Sequence, residues 1–265
     1  MENGKWKIFS KEPEFIKDLF NSISENYDKL NDIMSFGLHK KIKRDVINQI
    51  ENQFSIFHFP FSILDLCTGT GDLAAILKEK YPEAKIIGID FSPQMLEIAR
   101  QKHNSIPSPL VGEGEFLGED TSLRNSCEGY NNIDFLEADC TNLPFEDESF
   151  DLCTISFGLR NIEDMEKALQ EIHRVLKKGG IFVNLDLGKP NKFFNLFLKP
   201  YMYVWVAFLG KVFHKDETPY KYLAASNETF PAPAELIKIY EKIGFSNVKS
   251  KNYLFGQIAA QISLK

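Results

Sequence analysis

Short apolar runs at residues 63–66, 85–90, 133–137, 150–156 and 180–187 punctuate the middle of the chain, most of them near-continuous in Ile, Leu, Val and Phe. A run of that length without polar alternation suits a strand covered on both faces, as in a buried parallel sheet. Helical patterns fall between these runs at 72–80, 93–102 and 164–176. The second opens with Ser92 as cap and Pro93 at the first position, and the third runs into Lys177-Lys178-Gly179-Gly180, which reads as a helix stop. Strand and helix in alternation predict right-handed crossovers and a doubly wound, mostly parallel α/β sheet.

After Gly244 the pattern changes. Residues 247–254 and 257–264 are two strand-like runs separated only by Phe255-Gly256, which predicts a C-terminal antiparallel hairpin. Residues 12–23 and 40–51 predict helices, so that 1–52 forms a helical cover over the site and 1–265 a single domain. Residues 104–132, rich in Gly, Ser, Glu and Asn with Pro107 and Pro109, have no periodic apolar face and read as a flexible surface insertion. The segment 191–230 is expected to form a helical lid or substrate segment, because 193–213 is dense in aromatic residues such as Phe197, Tyr201, Trp205 and Phe208. Lys199 and Lys211 leave a charge-free run well short of the roughly 20 apolar residues needed to cross a bilayer. The alternatives there are an ordinary buried helix and a cover for a long apolar group, resting on a membrane surface.

Charge and cysteine content narrow the function classes. The 265 residues carry 31 Lys+Arg against 37 Asp+Glu, a formal net charge of −6, with no basic footprint for a phosphate backbone. Nucleic acid is not an expected partner. Cys67, Cys127, Cys140 and Cys153 include no CxxC pair and are too few to staple a chain of this length. Reduced thiols are expected, and with no signal-peptide pattern in residues 1–17 a cytoplasmic setting.

The sharpest chemical signal is Ile63-Leu64-Asp65-Leu66-Cys67-Thr68-Gly69-Thr70-Gly71-Asp72, a strand running into a glycine turn that opens a helix. Glycine there lets backbone approach a ligand without a Cβ clash. Gly69, Gly71 and Ala74 satisfy a relaxed dinucleotide fingerprint, and Asp90 ends the next strand where a carboxylate can take both ribose hydroxyls. An adenosine-bearing cofactor follows, with nicotinamide dinucleotides still open. Asp72 weighs against them, since a carboxylate at the helix start repels a pyrophosphate. S-adenosyl-L-methionine carries no phosphate, and Asp65 or Asp72 could attract its ammonium. Asp139, after the third run, offers a carboxylate to an adenine amino group, with backbone presented at Cys140.

Further stretches carry a resemblance. Tyr27-Asp28-Lys29-Leu30-Asn31-Asp32, Ser35-Phe36-Gly37-Leu38-His39, Ser156-Phe157-Gly158-Leu159-Arg160-Asn161 and Tyr220-Lys221-Tyr222-Leu223-Ala224-Ala225-Ser226, together with the glycine turn, resemble the ubiquinone/menaquinone biosynthesis C-methyltransferases. The resemblance implies a class I S-adenosylmethionine-dependent methyltransferase fold and methylation of a ring carbon of a polyprenylated hydroquinone. It implies donor-binding positions at Thr70, Asp90, Asp139, Cys140 and Ser156, and the chain departs from the family's usual residues at Ile42, Lys178, Asp186 and Gly188.

An aromatic carbon attacks only when an ortho or para hydroxyl gives up its proton, and a phenol titrates near 10, so a positioned cation helps as much as a strong base. Arg160 could supply that charge and Asn161 could orient the oxygen; His39 and Tyr27 are candidates for proton transfer, and Asp72 could act through Arg160. No single base stands out. The displacement depends on positioning, and no metal is expected. The open alternatives are an O- or N-methyltransferase sharing the donor site, a nicotinamide-dependent oxidoreductase and a noncatalytic nucleotide-binding module. Also open are the menaquinone or ubiquinone precursor as acceptor, contact with the inner face of the cytoplasmic membrane, and a homo-oligomer.

Overall fold

The structure, a computed structural model, describes residues 11–53, 61–103, 133–191, 194 and 218–265. The expected insertion at 104–132, with Cys127, and the aromatic stretch at 193–213 apart from Phe194 lie outside them.

Seven strands form one sheet: β1 (Ser62–Leu66), β2 (Lys85–Asp90), β3 (Ile133–Glu137), β4 (Phe150–Ser156), β5 (Leu176–Leu187), β6 (Ser246–Tyr253) and β7 (Ile258–Leu264), in the order β3-β2-β1-β4-β5-β7-β6. The first five pair in parallel, whereas β7 inserts antiparallel between β5 and β6. The expected hairpin is therefore present, and its second strand completes the sheet while the first forms the edge. The chain winds outward from β1 to β3, then returns to β4 on the other side of β1. That reversal leaves a crevice outside the carboxyl ends of β1 and β4, where ligands bind in open α/β sheets.

The helices are α1 (Pro13–Ile23), α2 (Tyr27–Ser35), α3 (Leu38–Gln53), α4 (Asp72–Lys80), α5 (Pro93–His103), α6 (Met165–Val175), α7 (Thr218–Thr229) and α8 (Pro233–Ile243). Neighbouring strand residues face opposite ways, and both faces are covered. Ile63 and Ile86 pack with Val46, Leu77 and Ala99 of α3, α4 and α5, while Leu64 and Cys153 pack with Leu169 and Tyr240 of α6 and α8. Each such large side chain, fully buried, contributes about 1.5–3 kcal/mol. Cys153 thus behaves as a small hydrophobe.

Two local expectations need correction. The run 177–180 does not stop a helix: α6 ends at Val175, Leu176 is already extended, and the register between β4 and β5 shifts as partners pass from Phe150↔Leu176 to Leu152↔Ile181. Gly179, at φ +76°, takes the left-handed residue of that bulge. The second correction is α2, a helix the pattern did not predict. It carries the Tyr27 motif and ends on a left-handed Phe36, whose amide donates to the carbonyls of Asp32 and Ile33. Polar Asp28, Lys29, Asn31 and Asp32 dilute its apolar face, and tertiary contacts hold it instead.

The N-terminal helices are tied to the sheet's carboxyl edge. The Lys17 ammonium meets Glu137 Oε1 at 2.8 Å, and Ser92 Oγ donates to Asn21 Oδ1 at 2.6 Å. Among the described residues no helix is long and apolar enough to cross a membrane.

Candidate active site

The glycine turn after β1 is built from three left-handed residues, Cys67, Gly69 and Gly71, at φ 51°, 58° and 81°. The end of β2 holds it in place. Thr68 N–H donates to the Ile89 carbonyl, Gly69 N–H to Asp90 Oδ2 at 2.8 Å, and Ser92 N–H to Asp90 Oδ1 at 2.9 Å. Each Asp90 oxygen keeps lone-pair capacity for a ligand hydroxyl. Burial pushes its carboxyl above the ordinary range, opposed by the amides that donate to it.

Two cavities open onto this turn. The first, about 240 Å³, is walled by Gly69, Asp90, Met95, Asp139, Cys140 and Asn161 among others. The second, about 340 Å³, runs under α2 and α3 to Leu187, Phe194, Leu254 and Ile258. Tyr27, Cys67, Gly69, Ser156 and Phe157 belong to both walls. Ser156 Oγ is buried there without a hydrogen-bond partner among the described residues.

The residues singled out from the sequence divide between these spaces. Gly69, Asp90, Asp139, Cys140 and Ser156 line the first cavity. Asp139 is held by Thr141, whose amide and hydroxyl each donate to it at 2.8 Å. Asp65 and Thr70 line the second cavity instead. Gly71 lines neither: a Cβ there would come within 2.9 Å of His103 and Phe135, so its smallness serves packing and the left-handed turn. Asp65 accepts from Thr154 Oγ1 at 2.6 Å and Thr68 Oγ1 at 2.7 Å, and burial pushes its carboxyl up to about 6.

His39, Asp72 and Arg160 come together in the second cavity, while Asn161 faces the first. Arg160 is not a free cation. Its Nη1 donates to Asp186 Oδ1 at 2.6 Å and to the Phe157 carbonyl at 2.7 Å, both in buried surroundings. Asn161 is likewise engaged, donating to the Phe157 carbonyl and accepting from the Tyr222 hydroxyl. Asp72 pairs with Lys102 at 2.8 Å. Burial alone would raise its carboxyl, but Lys43 and Lys102 outweigh that and hold it low. Lys102 also meets Asp28, which accepts from the Thr70 hydroxyl, so this network fastens α2 to the glycine turn.

The hydrogen-bond network orders His39. Ser35 Oγ has one hydrogen and donates it to the Asn31 carbonyl at 2.6 Å, so toward His39 Nδ1, also 2.6 Å away, it accepts. Nδ1 therefore carries the proton, and Nε2 keeps a lone pair with no hydrogen-bond partner among the described residues. Asp32 and Asp72 lie 3.7 and 3.9 Å from Nε2. Burial first, then Lys43, lowers the imidazole pKa, which keeps it neutral near pH 7. Tyr27 is pushed the other way, burial raising its phenol. Lys43, which no motif singled out, also lines the second cavity; its one signal was its place one turn after His39.

Residues 7–265 match the ubiE/COQ5 methyltransferase family. The chain belongs to that family. It is 38% identical over 258 residues to a demethylmenaquinone methyltransferase of Lactococcus lactis, spanning 95% of this chain and 90% of that protein. One from Thermus thermophilus is 38% identical over 245 residues, spanning 92% and 98%. Among solved structures, a SAM-dependent methyltransferase from Thermotoga maritima superposes with a TM-score of 0.60 at 20% identity, covering 94% of this chain and 99% of that one. CurJ carbon methyltransferase gives 0.53 at 14% identity, covering 85% and 53%. The fold is thus the class I methyltransferase fold, and this family member is an enzyme whose methyl donor is S-adenosylmethionine. The nicotinamide alternative is not favoured. The residues fit the methyl donor: an acidic residue closes β2, a glycine faces the cavity, and a buried serine hydroxyl without a hydrogen-bond partner among the described residues lies where the two cavities meet.

Proposed function

We propose that this enzyme methylates a ring carbon of a demethylated, polyprenylated hydroquinone, with demethylmenaquinol as acceptor and the ubiquinol precursor as second choice. The observation that carries the reading is the pair of cavities with a common wall at Tyr27, Cys67, Gly69, Ser156 and Phe157. The named activity of the relatives supports the same acceptor class. In this reading Asp90 takes the ribose hydroxyls, Asp139 and the backbone at Cys140 take the adenine, and Ser156 faces the reacting end. The donor supplies a methyl group on a cationic sulfur. Gly71 supports the turn, while Thr70 acts through Asp28.

The acceptor's ring lies in the second cavity, and His39 Nε2 receives the hydroxyl proton, with Asp32 and Asp72 to stabilise the imidazolium. Tyr27, its phenol raised, positions rather than accepts protons. Arg160 with Asp186 shapes the wall, and Asn161 and Tyr222 brace it from the other side. The tail leaves past Phe36, which is 76% exposed, and Leu38 and Leu254, beside Phe255, which is 68% exposed. A cluster of outward apolar side chains at a cavity mouth favours contact with a membrane surface over free solvent. The reading needs no second subunit, because one chain supplies every residue named.

Protein incubated with methyl-labelled S-adenosylmethionine and, separately, reduced demethylmenaquinone or ubiquinone precursor tests this. Label on a ring carbon is the expected result. Label on oxygen, or none on either quinol with donor binding intact, would overturn it.

A further inference from the structure

Three cationic side chains or potential cations line the second cavity: His39, Lys43 and Arg160. Arg160 is committed to Asp186 and the Phe157 carbonyl, and His39 is neutral with its lone pair on Nε2. Neighbouring cations are also engaged, Lys102 by Asp28 and Asp72 and Lys40 by Asp32. Lys43 differs. Among the described residues its ammonium makes no hydrogen bond and no close ion pair; burial lowers its pKa, and the charges of Asp72, Asp65 and Asp28 oppose that and favour the cation. His39 and Lys43 are four residues apart on α3, so one helix face presents a lone pair and three N–H donors to the same space.

An acceptor phenol that must become a phenolate needs this combination: a place for its proton and a cation for its oxygen. Resting on the hydroquinone reading above, we propose that the Lys43 ammonium binds the acceptor's ring oxygen and stabilises it as the phenolate while His39 Nε2 takes the hydroxyl proton. The balance closes without another reactant. The ring carbon bonds to the methyl, the carbon–sulfur bond breaks with its electron pair on sulfur, the ring hydrogen leaves as a proton, His39 returns the hydroxyl proton to the ring oxygen, and one proton is released per turnover. Lys43 is thereby a catalytic residue, and Arg160 a positioning one.

Two measurements test this. The first uses the unaltered enzyme: 4-nitro-1-naphthol bound with S-adenosylhomocysteine is titrated by absorbance. The nitronaphthol should ionise at lower pH when bound than when free; ionisation at the same or higher pH overturns the proposal. The second compares variants on short-tailed demethylmenaquinol. Lys43→Met should lower kcat about 100- to 1,000-fold, with S-adenosylhomocysteine affinity within about twofold of wild type. Lys43→Arg, which keeps the cation, should recover part of that loss. Acceptors made more acidic by ring substitution should narrow the gap between Lys43→Met and wild type, which a merely structural lysine would not do. Full-rate turnover by Lys43→Met, with the wild type active, overturns this proposal alone; a wild type that leaves the quinol unmethylated removes the hydroquinone reading first.

Discussion

The two cavities are built by different means. The first cavity stands on strand ends and turns whose carboxylates are held by backbone amides, Asp90 by those of Gly69 and Ser92 and Asp139 by that of Thr141. The second is collected from α2, α3, the end of β5, Phe194 and the turn before β7, and its charged groups are held by side-chain ion pairs, Arg160 by Asp186 and Asp72 by Lys102. In the proposed reading, the cofactor shared by many enzymes meets carboxylates held by backbone, and the acceptor meets charges held by other side chains, which is where one fold acquires its particular substrate.

The difference can be broken most strongly at Arg160. Arg160→Ala leaves the carboxylate of Asp186, 0% exposed, without its cation, and should cost about 3–5 kcal/mol of stability in urea unfolding. Arg160→Met with Asp186→Leu should recover most of that loss. On the donor side Asp90→Ala should raise the Kd for S-adenosylhomocysteine about 100-fold, roughly 2.7 kcal/mol, and leave the quinol KM within about threefold, as calorimetry and steady-state kinetics would record. Equal losses for both ligands would mean that the two sides are not separable.

A smaller effect comes from Asp65, in the wall of the second cavity. Its folded carboxyl is raised from 3.8 to about 6, so the stability it contributes is full below pH 3.8 and lost as pH rises through 6, about 3 kcal/mol in all. Roughly half of that falls between pH 5 and 8. In donor-free protein, Asp65→Asn should flatten unfolding stability over that interval by about 1 to 2 kcal/mol. The smallest expected change is at the cavity mouth. Phe255→Ser should raise KM about tenfold for long-tailed quinols, about the free energy of one exposed aromatic contact, and leave short-tailed ones unchanged.

The comparison also accounts for what could be read from the chain. The parallel strands were legible because continuous burial leaves continuous apolar runs, and the glycine turn with Asp90 was legible because its geometry is local. At Gly71 a small residue in a turn has the same signature whether it admits a cofactor or the rings of His103 and Phe135. Asp186 was visible only as a departure from a family pattern, since nothing in spacing tells that it faces Arg160 across the sheet edge. Lys43 lay among Lys40, Lys41 and Arg44, a basic run that gives no hint which member turns inward. The run 177–180 has the composition of a helix stop, and strand pairing with β4 overrode it.

The proposed meeting place of donor and acceptor is the wall formed by Tyr27, Cys67, Gly69, Ser156 and Phe157. A crystal structure with S-adenosylhomocysteine and a short-tailed demethylnaphthoquinol tests it most directly. The expected result is the sulfur at that wall from the Asp90 side, with the unsubstituted ring carbon facing it across a gap one methyl group wide and a ring oxygen between His39 and Lys43. A quinol ring seated elsewhere, with its carbon turned from the sulfur, would contradict it.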